Sequence, residues 1–252
     1  MHDKVYRILV TVLLTYIIYS RPSINVTSDF GTSFSIAFAD VQKNIEWIYL
    51  PEIDANEKSE VLMIVLSRSD NYGRRNVLRK TWMNKRNSES IKEERMKALF
   101  LVGMNPGDLR MKKMILEEAR LYGDLIVADL NDSYDQLSYK TLTLLLFATR
   151  KAPQFNLIGK IDEDVVFFPD QLTPLIENKL IKVNTSSMYG YLVGEGLEVN
   201  HIHHGKWFIP ISAYSCLKYP GYLSGPFYLT TKLAAEKIIT ATKHRNFLSV
   251  SL

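Results

Sequence analysis

Cysteine is nearly absent from this sequence, since Cys216 is the only one among 252 residues. No disulfide bond can therefore form within the chain, although a secretory address stays open because cysteine pairing is only one of its signs. A strong excess of charge is missing too. The net charge of +4, with acidic and basic residues dispersed, does not indicate a nucleic-acid partner, while a local basic patch could still bind a phosphate ligand.

A glycine-rich G-x-G-x-x-G segment is also missing after the first predicted strand, residues 61–66. This absence argues against an NAD-linked α/β protein. The hydrophobic fraction of 46% and the charged fraction of 23% are those of an ordinary globular protein. The length allows one large α/β domain or two small ones.

The N-terminal apolar run, residues 8–19, is shorter than the roughly 20 residues that a spanning helix usually needs. Lys4 and Arg7 precede it. We interpret residues 1–21 as a cytoplasmic tail and an uncleaved signal anchor, with Arg7 reaching back to the membrane surface and the rest of the chain in the lumen. A cleaved signal peptide and a buried core helix are the alternatives.

Residues 22–58 mix polar residues with scattered aromatic ones, and we predict that they form a stem. Residues 59–252 carry the periodic pattern of a folded domain. Three N-x-S/T sequons give weak support for a luminal address, because such triplets also arise by chance. They are the candidate glycosylation sites Asn25, Asn131 and Asn184.

Predicted strands and helices alternate four times before residue 162. The strands are residues 61–66, 98–102, 124–129 and a segment starting at 155, and the helices between them are residues 71–82, 108–122 and 136–150. This order predicts an α/β fold, a mostly parallel sheet with helices on both faces. In such sheets ligands bind beyond the carboxyl ends of the strands, so we expect a nucleotide site at that edge.

Three consecutive acids, Asp162, Glu163 and Asp164, lie between apolar segments. Ionised carboxylates are costly to desolvate, and Lys160 alone cannot compensate three of them. A divalent cation with oxygen ligands is the natural partner. On an extended segment Asp162 and Asp164 point to one side and Glu163 to the other. The alternative is an acidic turn between two strands.

Residues 218–228 are rich in aromatic residues, glycine and proline, and we predict an irregular loop there. Aromatic faces with scattered hydroxyl groups suit a sugar, which has apolar C–H faces and a polar edge. A well-packed structural loop is the alternative. His201, His203 and His204 lack a fourth ligand at a defined spacing, which favours a solvated loop over a metal site.

From about Leu62 onward the chain resembles the inverting β1,3-galactosyltransferase and β1,3-N-acetylglucosaminyltransferase family. Several segments match the family in order and at sensible distances. They are Arg75-x-x-Leu78-Arg79-x-Thr81-Trp82, Phe100-Leu-Val-Gly103, the signature from Glu118 through Asp129, Asp132 and Tyr134 to Lys140-Thr141, Lys160-x-Asp162-x-Asp164-Val-x-Phe167, and Tyr219-Pro-x-Tyr222-x-x-Gly225. Any one of these matches is weak, whereas the ordered set is strong.

The resemblance implies the GT-A fold, a Golgi membrane location with a single N-terminal span and a luminal domain, and Mn²⁺ as cofactor. It also implies UDP-Gal or UDP-GlcNAc as donor and a glycoprotein or glycolipid as acceptor. Asp164 would be the main metal ligand, with Asp162 near the ion or the ribose. The remaining implied contacts are Arg75, Arg79, Asp129, Lys160 and Glu163 on the donor side, and Trp207, Tyr219, Tyr222 and Gly225 on the acceptor side. The alternative role for the two arginines is pairing with a carboxylate such as Asp129.

The sequence also departs from the family pattern. Glu163 replaces a residue that is commonly Asp, while the outer acids are kept. The family's presumed general base comes from a later acid-acid-Val segment, which we expect beyond Leu252. We therefore name no base within the 252 residues. The alternative is a non-catalytic relative that binds UDP-sugars or glycans.

Overall fold

The computed structural model describes residues 33–105, 107–202 and 207–248. Its strands are β1 Ser33–Ala37, β2 Gln42–Tyr49, β3 Val61–Ser67, β4 Met96–Gly103, β5 Leu125–Ala128, β6 Leu157–Asp162, β7 Met188–Val193 and β8 Tyr222–Thr231. Its α-helices are α1 Tyr72–Lys80, α2 Glu89–Lys92, α3 Leu109–Tyr122, α4 Leu137–Arg150, α5 Pro169–Glu177 and α6 Lys232–Ala241. Two 3-10 turns, Tyr134–Gln136 and Thr242–His244, precede α4 and follow α6.

The predicted anchor, residues 1–21, and the sequon at Asn25 lie outside the described residues. Within the described ranges, no helix combines the length and the apolar character that crossing a membrane requires.

The eight strands form one sheet in the order β1-β2-β5-β4-β3-β6-β8-β7. Its centre, β5-β4-β3-β6, is parallel, whereas the pairs at both sides are antiparallel. The predicted alternation of strands and helices is confirmed, because a parallel pair needs a crossover that is usually a helix. The sheet is extended beyond this parallel centre by β1 and β2 on one side and by β8 and β7 on the other. These four strands were not part of the predicted alternation.

Helices cover both faces of the sheet, as predicted. Strand β3 is buried along its whole length, and its successive side chains enter two different cores. Leu62 and Ile64 contact the core that contains α4, whereas Met63 and Val65 contact the core that contains residues of α1, α3 and α5. A strand buried on both faces explains the continuous apolar run in the sequence.

The carboxyl ends of the four parallel strands meet at one edge of the sheet. Ser67 pairs with Val102, and Gly103 pairs with Ala128. Asp162, the last residue of β6, is next to Leu66. Strand β8 runs antiparallel to β6, so the segment before Phe227 reaches this same edge. Residues far apart in sequence thereby come together where the acidic turn begins.

Part of residues 22–58, the predicted stem, is folded into the sheet. Residues 33–49 of that range form the β1–β2 hairpin, and β2 joins the sheet through an antiparallel pair with β5. Ile36, Ile45 and Trp47 are buried in the core beneath α4. The stem prediction was therefore wrong for this hairpin, because alternate apolar side chains along β2 face the core while their neighbours stay exposed.

Residues 222–228, which were predicted to belong to an irregular loop at 218–228, form part of a strand. Strand β8 begins at Tyr222 and pairs with both β6 and β7. Gly225 and Pro226 are accommodated because the β7–β8 register shifts between Gly190 and Leu192, and β6 pairing begins only at Phe227. A proline has no N–H to donate, so a position at such an irregularity suits it.

Asp170, in the first turn of α5, fixes the start of the short helix α2. Its carboxylate accepts hydrogen bonds from the Ser88 hydroxyl at 2.8 Å and from the backbone N–H groups of Ser90 at 2.8 Å and Glu89 at 3.1 Å. Burial raises the pKa of Asp170, but these hydrogen bonds outweigh it and lower the pKa to about 2. A carboxylate that accepts several hydrogen bonds is favoured in its ionised form.

Candidate active site

A cavity of about 600 Å³ opens at the carboxyl edge of the sheet. Residues from four separate parts of the chain line it: the segment around Tyr134, the end of β6, the β7–β8 connection and the start of β8. The lining includes Tyr134, Lys160, Asp162, Asp164, Glu198, Asn200, Trp207, Tyr219, Tyr222, Ser224 and Gly225. Two carboxylates and several aromatic rings therefore share one space of a size that suits a ligand.

The acidic turn places two of its three carboxylates on this cavity. Asp162 ends β6 with a side chain that is 31% exposed, and Asp164 follows in an exposed turn. Glu163, between them, does not line the cavity. This arrangement has the alternation that the D-x-D spacing predicts for an extended segment.

Lys160 connects the acidic turn to the start of β8. Its side chain is only 1% exposed, and its ammonium group lies 2.6 Å from Asp162 Oδ1. The same ammonium donates to the backbone carbonyl of Gly225. A buried lysine needs such partners, because an unpaired charge in the interior is costly. Lys160 thereby links the end of β6 to β8, and both strands line the cavity.

Burial shifts the pKa values of both Lys160 and Asp162. Desolvation lowers the pKa of Lys160, while the neighbouring Asp162 opposes that shift. Desolvation raises the pKa of Asp162, and repulsion from Asp164 adds to it, while Lys160 opposes. Two carboxylates held close together in a partly desolvated site favour the binding of a cation.

Aromatic rings also line the cavity. The rings of Tyr134 and Trp207 meet edge to face at 5.8 Å, and Trp207 is 59% exposed. Tyr219 contacts Tyr222 at 5.9 Å, again edge to face. Burial raises the pKa of Tyr134, with a further contribution from Asp162. An exposed indole beside tyrosine hydroxyls offers an apolar face and polar edges, which is the chemistry that binds sugars.

The structure does not bring Arg75 to the cavity, which corrects the predicted nucleotide contact. Its guanidinium donates to Glu118 at 2.8 and 2.7 Å, to Ser67 Oγ at 2.9 Å, to the carbonyl of Ser69 at 3.2 Å and to the carbonyl of Arg68. All five donors of the guanidinium are used in this way. Arg75 is fully buried, so its role is structural.

Arg79 lies at the other edge of the sheet, so its predicted donor contact is also corrected. It donates to Asp124 at 2.7 and 2.8 Å and to Glu118 at 2.8 Å. Asp124 immediately precedes β5, at the amino ends of the parallel strands. The guanidinium also stacks 3.8 Å from the centre of the Tyr122 ring. The alternative role, pairing with carboxylates, describes both arginines, although the partners are Glu118 and Asp124.

Asp129 and Glu163 do not line the cavity either. The Asp129 carboxylate accepts the backbone N–H of Glu46 in β2, and burial raises its pKa. The Glu163 carboxylate accepts from Ser67 Oγ at 2.5 Å and from Asn71 Nδ2 at 2.7 Å. The predicted donor contacts of these two acids are therefore replaced by contacts within the protein.

The two sequons inside the described residues, Asn131 and Asn184, are both exposed. Asn131 follows β5, and Asn184 lies in the turn before β7. Their exposure is compatible with the predicted glycosylation, which stays a prediction.

Comparison with known proteins identifies the family to which these elements belong. Residues 73–251 match the family model described as galactosyltransferase. The chain belongs to the galactosyltransferase family. It is 53% identical to the β-1,3-galactosyltransferase bre-2 of Caenorhabditis elegans over 227 residues, 90% of this chain and 63% of that protein. It is 25% identical to the lactosylceramide 1,3-N-acetyl-β-D-glucosaminyltransferase of Mus musculus, over 86% of this chain and 58% of that protein.

A third relative is the β-1,3-galactosyltransferase 1 of Homo sapiens, which is 27% identical over 75% of this chain and 56% of that protein. This galactosyltransferase-family chain thus spans about 60% of the length of the curated relatives it matches. The predicted family resemblance is confirmed.

The two carboxylate side chains of the acidic turn that line the cavity are of the chemical type that binds a divalent cation. Asp162 and Asp164 both present carboxylate oxygens to the cavity. Among the described side chains, no cluster of three or more His, Cys, Asp or Glu could hold a metal by itself. Two carboxylates without further protein ligands suit an ion that also binds substrate phosphates.

Three polar residues that line the cavity carried no predicted role: Glu198, Asn200 and Ser224. Glu198 and Asn200 lie between β7 and β8, where the sequence has no periodic pattern that could place them. Glu198 forms an isolated antiparallel bridge with Lys218, which brings this connection against the segment leading into β8. Backbone hydrogen bonds between Val199 and Leu217 and between Leu197 and Tyr219 hold the same two segments together, so long-range pairing places Glu198 and Asn200 in the site.

Proposed function

We propose that this galactosyltransferase-family protein transfers Gal or GlcNAc from a UDP-sugar to a glycan acceptor in β1,3 linkage, with inversion, on a GT-A fold. One observation carries the proposal. The same cavity holds the Asp162 and Asp164 carboxylates and the rings of Trp207, Tyr219 and Tyr222. A nucleotide sugar needs a charged end and an end that recognises carbohydrate, and this cavity offers both.

At the charged end, Asp162 and Asp164 would hold Mn²⁺ together with the diphosphate. When bound, the ion would supply positive charge to the leaving nucleotide. Lys160 keeps Asp162 in place through their 2.6 Å contact. Because Lys160 is buried and already has two acceptors, its part is to orient the carboxylate.

At the aromatic end, Trp207 and Tyr222 would bind the C–H faces of sugar rings, while hydroxyl groups such as that of Ser224 meet the polar edges. Inversion proceeds by one in-line attack of an acceptor hydroxyl, which requires a general base facing the anomeric carbon. We assign no residue to that role.

The proposed location is the Golgi membrane, with residues 1–21 as a single anchor and the folded part in the lumen. The proposed acceptor is a glycoprotein or a glycolipid, which are the glycans that such a compartment presents. Extraction of membranes at alkaline pH tests the anchor, because an anchored chain stays in the pellet and a cleaved, secreted chain leaves it.

Turnover tests the proposed activity directly. UDP-Gal and UDP-GlcNAc are incubated with a panel of glycan acceptors and Mn²⁺, and the product linkage is determined. The proposal expects transfer from one of these donors in β1,3 linkage and its loss in EDTA. UDP binding without transfer to any acceptor would instead indicate the non-catalytic alternative, a UDP-sugar-binding relative.

A further inference from the structure

We propose that Glu163 is a positioning residue. Its hydrogen bonds to the β3–α1 connection hold the acidic turn, residues 162–164, so that Asp162 and Asp164 face the cavity. This inference rests on the proposed function for the identity of the ligand. It gives this acid a role away from the substrate.

Both oxygens of the Glu163 carboxylate are used inside the protein. Oε2 accepts from Ser67 Oγ at 2.5 Å, and Oε1 accepts from Asn71 Nδ2 at 2.7 Å. Ser67 is the last residue of β3, and Asn71 directly precedes α1. The Asn71 side chain makes no capping hydrogen bond to the helix. The anchor therefore joins the turn after β6 to the β3–α1 connection.

Ser67, one of the two residues that donate to Glu163, is itself held by further hydrogen bonds. Ser67 is 1% exposed, and its hydroxyl accepts from Arg75 Nη1 at 2.9 Å. Arg75 is held by the Glu118 carboxylate through two hydrogen bonds. Lys140 donates to the carbonyl of Ser67 at 2.7 Å. A buried and fully bonded support is rigid, so the anchor can transmit its position to the turn.

Asp132 also binds the β3–α1 connection. Asp132 accepts from the backbone N–H of Ser69 at 2.5 Å and from Lys140 at 2.6 Å. Lys140 is in α4, and Asp132 follows β5. The β3–α1 connection is therefore bound by Lys140 of α4, by Asp132 after β5 and by Glu163 after β6, which makes it a suitable support for the acidic turn.

These contacts require a side chain at residue 163 that is long enough to reach Ser67 and Asn71 and that can form hydrogen bonds with both. They do not require a negative charge facing the cavity. In Glu163→Gln the amide oxygen can accept from Asn71 while the amide nitrogen donates to Ser67 Oγ. Glu163→Ala removes both contacts. Outer-sphere groups that orient metal ligands typically change metal affinity or activity by about 10-fold to 100-fold when they are removed.

The test measures UDP binding by calorimetry for the wild type, Glu163→Gln, Glu163→Ala and Asn71→Ala, each with Mn²⁺ and with EDTA. We expect Glu163→Gln to stay within about 3-fold of the wild type and Glu163→Ala to bind at least about 10-fold more weakly. Asn71→Ala, which removes one donor and leaves the buried arginine untouched, should weaken binding by about 5-fold.

Hydrogen exchange of the backbone amides of residues 161–166, without any ligand, provides a second measurement. Exchange should accelerate in Glu163→Ala and Asn71→Ala but remain as in the wild type in Glu163→Gln. A wild type that does not bind UDP would refute the proposed function, and hydrogen exchange would still decide the positioning role.

Two results would overturn the positioning role. The first is Glu163→Gln binding as weakly as Glu163→Ala, because the charge itself would then act on the ligand. The second is unchanged binding and unchanged exchange in Glu163→Ala, because the turn would then need no anchor.

Discussion

Glu118 accepts hydrogen bonds from the buried Arg75 and the partly buried Arg79, so replacing it with glutamine tests how much this carboxylate stabilises the fold. Its carboxylate meets Arg75 at 2.7 Å and Arg79 at 2.8 Å. The side chains of Arg75 and Glu118 are 0% and 5% exposed. Glu118→Gln keeps the shape but removes the charge and turns an amide N–H₂ towards guanidinium donors.

The expected cost follows from this burial. Breaking a buried ion pair by changing one partner typically destabilises a protein by about 3–5 kcal/mol. Arg79 keeps Asp124 as a second partner, whereas Arg75 keeps only neutral acceptors. We therefore expect a loss of about 3 kcal/mol in the free energy of unfolding. For a domain of this size that loss lowers Tm by about 6–12 °C.

Urea unfolding followed by circular dichroism measures the loss, and Glu117→Gln is the matched control. Glu117 precedes Glu118 on the same helix and is exposed, so its substitution should change the free energy by less than about 0.5 kcal/mol. A Glu118→Gln loss below about 1 kcal/mol, or one equal to the control, would refute the argument that this carboxylate holds the two arginines.

Three further predictions concern the glycines Gly103 and Gly73, the carboxylate of Asp170 and the buried Lys160. Gly103→Ala should lower the free energy of unfolding by about 1–3 kcal/mol, because an added Cβ would lie 2.7 Å from the carbonyl oxygen of Leu130. Gly73→Ala has nothing within 4 Å of the added Cβ and should raise the free energy of unfolding by up to about 1 kcal/mol. Thermal unfolding of the two variants measures both changes. The pKa of Asp170 is lowered from 3.8 to about 2 on folding. The wild type should therefore be more stable than Asp170→Asn above about pH 4, by about 1 kcal/mol after solvent screening, and lose that advantage as the pH falls to about 2, as acid titration of unfolding would show. Lys160→Met should weaken Mn²⁺-dependent UDP binding by about 10-fold in calorimetry while the protein stays folded, because the carboxylate next to it loses its buried partner.

The parallel centre of the fold could be predicted because its signals are local. Each of β3 to β6 is a short apolar run, and the helices between them follow at regular distances. The β1–β2 hairpin was missed because its place depends on pairing with β5, about 80 residues away. Residues of β8 were read as a loop because Gly225 and Pro226 argue against a strand unless a register shift accommodates them.

In the candidate site, too, the features with a local sequence signal could be predicted and those that depend on long-range packing could not. The D-x-D spacing and the aromatic segment predicted groups that the structure places on one cavity, including Asp162, Asp164 and Tyr222. The arginines were misplaced because helical spacing predicts that Arg75 and Arg79 share a face, but it does not predict which carboxylate meets them. Glu118 lies 43 residues after Arg75, and only the packing of α1 beside α3 brings them together.

Calorimetry of UDP binding is the most direct test of the central claim that Asp164 and its neighbours form a cation-dependent nucleotide site. The wild type and Asp164→Asn are titrated with UDP in Mn²⁺ and in EDTA, with Glu89→Gln, in an exposed pair with Lys92, as the control. The account predicts binding by the wild type and the control in Mn²⁺, and a loss of at least about 10-fold in EDTA and in Asp164→Asn. UDP binding that neither EDTA nor Asp164→Asn changes would contradict it.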